Sequence, residues 1–170
     1  MLRISKLTDY GTLIMSQMAR HPERLHSANE LAVMLGLGIP TASKVLKGLA
    51  RHGLVTGVRG LHGGYSLSRP PQAISVADIV DALEEQPFGL TECSAATGLC
   101  DIEESCRIRA SWRTINSIVR RALEDVSVAS MVQAPPPGRR VGFDLLARPL
   151  PAAARAPARQ LARTMKAAPE

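Results

Sequence analysis

The chain has 170 residues and a formal net charge of +6, a length sufficient for one domain core or for one small domain with an extension. No apolar run approaches the roughly 18 residues that a membrane span needs, which excludes a transmembrane protein. The first residues contain no apolar signal segment or cleavage site, so we expect a cytoplasmic protein without a membrane partner.

The charge is unevenly distributed along the sequence. Residues 1–70 carry nine Lys or Arg against three Asp or Glu, residues 71–133 carry five against ten, and residues 134–170 carry seven against two. A basic first part followed by an acidic middle is typical of a phosphate-facing module joined to a module with another role. Uneven surface charge without a functional meaning is the alternative that charge alone leaves open.

Three helices are predicted in residues 4–53. The second begins at the motif Ser27-Ala-Asn-Glu30, which predicts a capping box, and a glycine ends it. The third begins at Pro40, whose ring fixes a helical φ, and Gly53 follows its end. The first has an apolar face with steps of four, three and four residues, formed by Leu7, Gly11, Ile14 and Met18.

A tight glycine-containing turn joins the second and third helices, which predicts a helix-turn-helix. Residues 54–58 and 65–67 are strand-like and flank a glycine-rich turn, so a β-hairpin follows the third helix. A hairpin in this position is typical of a DNA-contacting wing, with a plain hairpin as the alternative. The sequence therefore predicts a mainly α protein in which residues 1–70, the head, form a winged helix-turn-helix.

Seven side chains of the head are candidates for contact with double-stranded DNA. The first turn of the third helix is the part that enters the major groove in this motif, while later basic residues are placed for phosphates. An arginine at the tip of a wing can enter a narrow minor groove. The candidates are Thr41, Ser43 and Lys44 for base edges, Lys47 and Arg51 for phosphates, and Arg59 and His62 at the wing.

Residues 71–133 are predicted to contain two helices separated by a loop. Ser75-Val-Ala-Asp78 is a second capping box, and Pro87 ends the helix that it opens. Residues 88–106 form the loop. The later helix has an apolar stripe, which favours dimerisation over packing within its own domain. That stripe contains Ile108, Trp112, Ile115, Val119 and Leu123.

The last 37 residues, 134–170, differ from the rest in composition. They hold seven of the twelve prolines, ten alanines and scattered arginines. This composition predicts a tail that is disordered at least in part.

The three cysteines lie in the predicted loop, spaced as Cys93-x6-Cys100-x5-Cys106 among acidic residues. An odd number in one short segment is not typical of a disulfide framework. Structural zinc is disfavoured because it needs four ligands, and no histidine is near. Inert buried cysteines are disfavoured in a polar loop. A disulfide-forming thiol switch and an iron–sulfur cluster with a non-cysteine fourth ligand stay equally open.

Over about residues 1–133 the sequence resembles the Rrf2 family of winged-helix transcriptional regulators. The opening residues 2–11, LRISKLTDYG, are most similar to the branch that regulates the SUF iron–sulfur assembly operon. The other matching motifs are Gly53-Leu-Val, Val58-Arg-Gly with Gly63-Gly-Tyr65, and the three cysteines followed by Trp112.

The resemblance implies a homodimer, crossed through the long helix, that binds a palindromic operator. It also implies a 4Fe–4S or 2Fe–2S cluster bound by Cys93, Cys100 and Cys106. IscR-like members place a histidine three residues after the last cysteine, where this chain has Arg109, a cation that cannot ligate iron. NsrR-like members use an aspartate of the first helix, donated across the dimer, and Asp9 matches it. The spacing between the first two cysteines is one residue longer than is usual.

We therefore expect a homodimeric repressor that depends on an iron–sulfur cluster and controls SUF genes. One alternative is a nitric-oxide-sensing, NsrR-like repressor, because Asp9 suits it equally. Another is a cluster-free regulator that responds through a thiol redox switch. A redox enzyme or electron carrier is disfavoured by the complete DNA-binding head and by the lack of a substrate-binding motif.

Overall fold

A computed structural model describes residues 4–60, 63–84 and 87–133, all within one compact unit, Met1–Arg139. His62 and the predicted tail at 134–170 lie outside the described residues. The predicted fold class, mainly α with one hairpin, is confirmed. The elements are α1 (Lys6–Ala19), α2 (Ala28–Leu35), α3 (Ile39–Arg51), β1 (Val55–Val58), β2 (Gly64–Leu67), a 3-10 turn (Pro71–Ala73), α4 (Val76–Leu83), α5 (Glu92–Ala95), α6 (Arg109–Glu124) and α7 (Val128–Val132).

Helix α2 begins as the sequence predicts, but only half of the predicted capping box forms. The Ser27 hydroxyl accepts a hydrogen bond from the Glu30 amide at 3.1 Å. The Glu30 carboxylate contacts the Arg24 guanidinium at 2.7 Å instead of reaching back to the helix start. An ion pair with a nearby arginine therefore replaces the second bond of the box. The complete box forms at α4, where the amides and side chains of Ser75 and Asp78 bond each other.

The hairpin formed by β1 and β2 is antiparallel, with Val55 opposite Leu67. It is also tied to the segment before α2, because His26 and Tyr65 exchange backbone hydrogen bonds of 2.9 and 2.8 Å. Gly64 makes this approach possible, since a Cβ there would lie 2.8 Å from the His26 carbonyl oxygen. The bridge fixes the wing against the helix-turn-helix, and no local sequence pattern predicts it.

The apolar core lies between α1, α3 and α4. Gly11 on α1 and Gly48 on α3 both face Leu83 of α4, and a Cβ at either position would collide with its side chain. Three helices therefore approach closely at this point. The three-part division of the chain stays a prediction. The largest fully buried side chains are Ile14, Met15, Met18, Leu31, Leu46, Leu49, Ile74, Ile79, His26, Val45, Val128 and Thr8.

The region after α4 differs from the prediction in two details. Helix α4 ends at Leu83, earlier than the predicted stop at Pro87, and residues 88–106 include the short helix α5 instead of being loop throughout. Arg120 of α6 forms a two-pronged ion pair with Asp81 of α4, with nitrogen–oxygen distances of 2.5 and 2.6 Å. This pair joins α6 to the helix that closes the core.

Helix α6 carries the predicted apolar stripe, yet none of its residues is fully buried in the single chain. Trp112 is half-buried, while Ile115 is 43% exposed and Ile108 is 58% exposed. An amphipathic helix whose apolar side stays open is compatible with the predicted dimerisation. No helix among the described residues is long and apolar enough to cross a membrane.

Candidate DNA-binding surface and cysteine segment

Helix α3 separates its buried side from its polar side as the sequence predicts. Val45, Leu46 and Leu49 are fully buried and fix the helix in the core. The predicted DNA-contact residues lie on the remaining surface of the helix. Lys44, Lys47 and Arg51 are exposed, and Thr41 and Ser43 are half-buried.

The wing places one further candidate at the surface. Arg59 is exposed and directly follows β1, and the next residue, Gly60, adopts a φ of 121° that favours glycine. The structure therefore brings six of the seven candidates onto α3 and the wing, both fixed to the same core. His62, the seventh, lies outside the described residues. The DNA contacts of all seven residues stay a prediction.

Asp9 lies in the first turn of α1 and is exposed. Its neighbour Thr8 is fully buried, so the turn is anchored on one side while Asp9 faces outwards. An exposed carboxylate at this position is accessible to a second molecule. Its role as a ligand stays a prediction.

The cysteine segment, which we define as residues 87–108, holds all three thiols in the free state. Cys93 is buried in α5, whereas Cys100 and Cys106 are partly exposed. The Thr91 hydroxyl oxygen lies 3.4 Å from the Cys93 sulfur. Among the described residues, no group of three or more His, Cys, Asp or Glu side chains is placed to hold a metal ion. The single chain therefore does not bring the three cysteines together.

One amide side chain of α6 holds the first cysteine in place. The Asn116 Oδ1 atom accepts a hydrogen bond from the Leu90 amide at 3.1 Å. Its Nδ2 atom donates to the Ser94 carbonyl oxygen at 3.4 Å. Because these two partners lie on either side of Cys93, Asn116 fixes the position of that cysteine relative to α6. This residue cannot be recognised from the sequence, where it resembles any polar residue on a helix surface.

A buried carboxylate organises the second half of the segment. Glu103 is only 6% exposed, and its Oε2 atom accepts a hydrogen bond from the Gly98 amide at 2.6 Å. The other oxygen contacts the Arg109 guanidinium. Arg109 therefore neutralises a buried acid. Cys100 lines the same cleft, whose volume is about 490 Å³.

The donor set of the segment fits an iron–sulfur cluster in its chemistry. Three free thiols can become thiolate ligands, and the exposed carboxylate of Asp9 is an oxygen donor for a fourth position. Since one chain does not assemble these donors, a cluster on them needs a rearrangement of the cysteine segment. The positive charge of Arg109 excludes that residue as a ligand.

Comparisons with known proteins agree with this architecture. The sequence model of the Rrf2 family, described as an iron-dependent transcriptional regulator, matches residues 4–134. The fold is similar to that of CymR (YrzC), the global cysteine regulator of B. subtilis, with a TM-score of 0.61 and 27% identity, covering 78% of this chain and 97% of that chain.

Two further solved structures extend the comparison. IscR of T. potens is 28% identical with a TM-score of 0.57, covering 77% of this chain and 86% of that chain. CymR of Staphylococcus aureus shares the fold, at 24% identity and a TM-score of 0.58, covering 78% of this chain and 99% of that chain. Regulators of this kind bind DNA and are commonly dimeric. The chain belongs to the Rrf2 family and is a transcriptional regulator rather than an enzyme.

Proposed function

We propose that this protein is a homodimeric repressor that controls SUF iron–sulfur assembly genes and depends on an iron–sulfur cluster of the 4Fe–4S or 2Fe–2S type. The observation that carries the proposal is the presence of three free thiols in one segment, whose helix α5 packs against α6. Cytoplasmic location and a palindromic operator are parts of the same proposal. The resemblance of the opening residues to the SUF branch supports the choice of target genes.

The proposed ligands are Cys93, Cys100 and Cys106 of one chain and Asp9 of the other. When bound, the cluster supplies a group whose integrity depends on iron supply and oxidants. Asn116 positions Cys93, and the Glu103–Arg109 pair positions the loop that contains Cys100. The chain thus presents Cys93 and Cys100 from separately anchored turns.

The open apolar face of α6 supports the homodimer. Ile108 and Ile115 are both large, apolar and exposed in the single chain, and Trp112 between them is half-buried. Covering this face with the same face of a second copy removes apolar surface from water. A two-fold dimer presents two copies of α3, one for each half-site, and we therefore expect a palindromic operator.

The DNA-binding surface is tested by the double variant Lys44→Ala, Arg59→Ala. We expect weaker binding to a duplex selected by the wild-type protein from a random library, and a smaller salt dependence. Both changes remove a positive charge from the surface proposed to face DNA, so fewer counterions are released on binding. The slope of log affinity against log salt falls by about 0.9 for each phosphate charge that is no longer neutralised. The control, Arg107→Ala with Arg113→Ala, removes the same charge outside the head. Equal losses in both double variants would refute this interface.

The cluster is tested by anaerobic purification with iron and sulfide analysis. We expect both elements, a coloured protein, and protection of the three thiols from alkylation. A colourless protein without acid-labile sulfide would contradict the proposal. Asp9→Ala should speed the loss of the cluster and change its spectrum, whereas Asp125→Ala, an exposed carboxylate of another helix end, should do neither. Identical behaviour of the two variants would exclude Asp9 as a ligand.

A cluster-free thiol switch is the second candidate, favoured by the partial exposure of Cys100 and Cys106 in the single chain. Oxidation of the iron-free protein with diamide, followed by peptide mapping, should then give a disulfide between Cys100 and Cys106 and a change in DNA affinity. Cys100→Ser should abolish both effects. If oxidation leaves the DNA affinity unchanged, the thiol switch is wrong.

Nitric-oxide sensing is the third candidate, since an exposed Asp9 also suits NsrR-like regulators. Titration of the loaded protein with nitric oxide should then abolish DNA binding at a few molecules per cluster. A protein that keeps its DNA affinity under nitric oxide but loses it on iron depletion fits the assembly regulator instead.

A further inference from the structure

Glu84, at the end of α4, reaches across to the first turn of α1. Its Oε1 atom accepts a hydrogen bond from the Ser5 amide at 3.0 Å and another from the Thr8 hydroxyl at 2.6 Å. Thr8 is fully buried, so the contact joins the buried side of α1 to the end of α4. Ser5 and Glu84 are 79 positions apart in the sequence.

This contact supplies a part of the α1 cap that the local sequence lacks. Ser5 is the N-cap residue, and its hydroxyl oxygen accepts a hydrogen bond from the Thr8 amide at 3.2 Å. In a capping box the residue three positions later is Glu or Gln, whose side chain bonds the N-cap amide. Here that position is Thr8, and Glu84 accepts the bond instead. A carboxylate at the positive end of a helix is also favourable electrostatically.

The cap lies between the two parts of the proposed site. Asp9 directly follows Thr8 in the capped turn, and it is the proposed ligand for the second chain. Glu84 in turn ends α4, and the chain then leads into the cysteine segment. Any movement of that segment which displaces the end of α4 therefore acts on the turn that carries Asp9.

We propose that Glu84 is a positioning residue that couples the cysteine segment to the first turn of α1 and so to the DNA-binding head. This inference rests on the proposed function, because it concerns how a change at the cysteines reaches the head. The hydrogen bonds of Glu84 go to Ser5 and Thr8, neither of which is a proposed DNA-contact residue or cluster ligand. Its role is to keep α1 and the end of α4 moving as one unit.

We test this with full-length protein, in the cluster-loaded and in the iron-free form. The affinity of each form is measured for the DNA duplex that the wild-type protein selects from a random library. The ratio of the two affinities reports coupling. In Glu84→Ala and in Thr8→Val we expect the two affinities to differ by about tenfold less than they do in the wild type. A change of this size lies within the usual range of allosteric coupling. Glu84→Gln keeps an acceptor oxygen and should retain most of the ratio. Glu23→Ala, at an exposed head carboxylate, should leave it unchanged.

A second readout is amide hydrogen exchange in residues 5–9 of the iron-free protein. We expect faster exchange in Glu84→Ala and in Thr8→Val, but not in Glu23→Ala. A purely structural role would weaken DNA binding of the cluster-loaded and the iron-free form by the same factor. An unchanged ratio of the two affinities in Glu84→Ala would therefore overturn the coupling but not the proposed function. A wild-type protein that binds no iron or sulfide overturns the proposed function, and the coupling with it.

Discussion

The head and the cysteine segment are held together by different kinds of contact. In the head, α1 and α3 pack large apolar side chains into a core that α4 closes. In the cysteine segment, only Cys93 and Glu103 are buried among the described residues of that segment. Its position depends on polar contacts made by single side chains, above all Asn116 and the Glu103–Arg109 pair.

This difference has consequences for how each region responds to change. An apolar core distributes its stabilisation over many contacts, so the head is expected to remain rigid while its surroundings change. A segment with few buried apolar contacts opens locally at low free-energy cost. The region with the thiols is therefore the one that can rearrange, and the region with the proposed DNA-contact surface is the one that stays fixed.

Leu46→Ala is expected to have the largest effect on stability. Leu46 is fully buried in the head, so shortening it leaves a cavity and should lower the free energy of unfolding by about 2–5 kcal/mol. The matched change in the cysteine segment is Leu99→Ala, at a side chain that is 52% exposed. We expect that variant to stay within about 0.5 kcal/mol of the wild type.

Urea unfolding followed by circular dichroism measures both variants. Similar losses for Leu46→Ala and Leu99→Ala would show that the cysteine segment shares the stability of the core. A small loss for both would show that the head tolerates a cavity and is not rigid.

Most of the head could be predicted because its signals are local. Gly36 and Gly53 adopt positive φ angles of 64° and 67° at the ends of α2 and α3, where the sequence predicts helix stops. The apolar faces of α1 and α3 are buried as their spacing indicates. A cap, a turn glycine or a helical period involves only a few neighbouring residues, so one sequence suffices to detect it.

The contacts made by Asn116 and Glu84 could not be predicted, because their partners are remote. Asn116 bonds Leu90 from 26 positions away, and Glu84 bonds Ser5 from 79. In sequence alone each resembles a solvated polar residue of a helix. Helix α5 was also missed, since four residues are too short to show a period. The number and spacing of the cysteines can be read from the sequence, but whether their side chains lie close together in the fold cannot.

Asn116→Asp is expected to have an intermediate, local effect. Aspartate can still accept the bond from the Leu90 amide, but it cannot donate to the Ser94 carbonyl oxygen, which then faces a negative charge. The loss of one bond and the new repulsion should cost about 1–3 kcal/mol locally. Cys93, held between these partners, should therefore become more reactive in the native protein.

Alkylation of Cys93 in a Cys100→Ser, Cys106→Ser background measures this effect in the absence of denaturant. We expect a rate about tenfold or more above that of the parent, with an unchanged urea midpoint for the head. Asn29→Asp, on the exposed surface of α2, is the control and should change neither quantity. A slower reaction, or a lower midpoint with an unchanged rate, would show that Asn116 supports the core instead of the segment.

The smallest expected effect is a pH dependence at the point where the two regions meet. Burial raises the pKa of Glu84, but hydrogen bonds from Thr8 and Ser5 lower it by more, so its pKa lies below the ordinary value of 4.5. The stabilisation from the ionised group is thus fully present above about pH 4.5 and is lost as the pH falls through the lowered pKa. In Glu84→Gln this dependence is absent, so the difference in stability between the wild type and the variant should be constant above about pH 5 and shrink below pH 4.5. Urea unfolding of both proteins between pH 3 and 7 measures that difference in stability. A difference that grows on acidification would mean that the folded protein favours the protonated form of Glu84, which is incompatible with a carboxylate cap on α1.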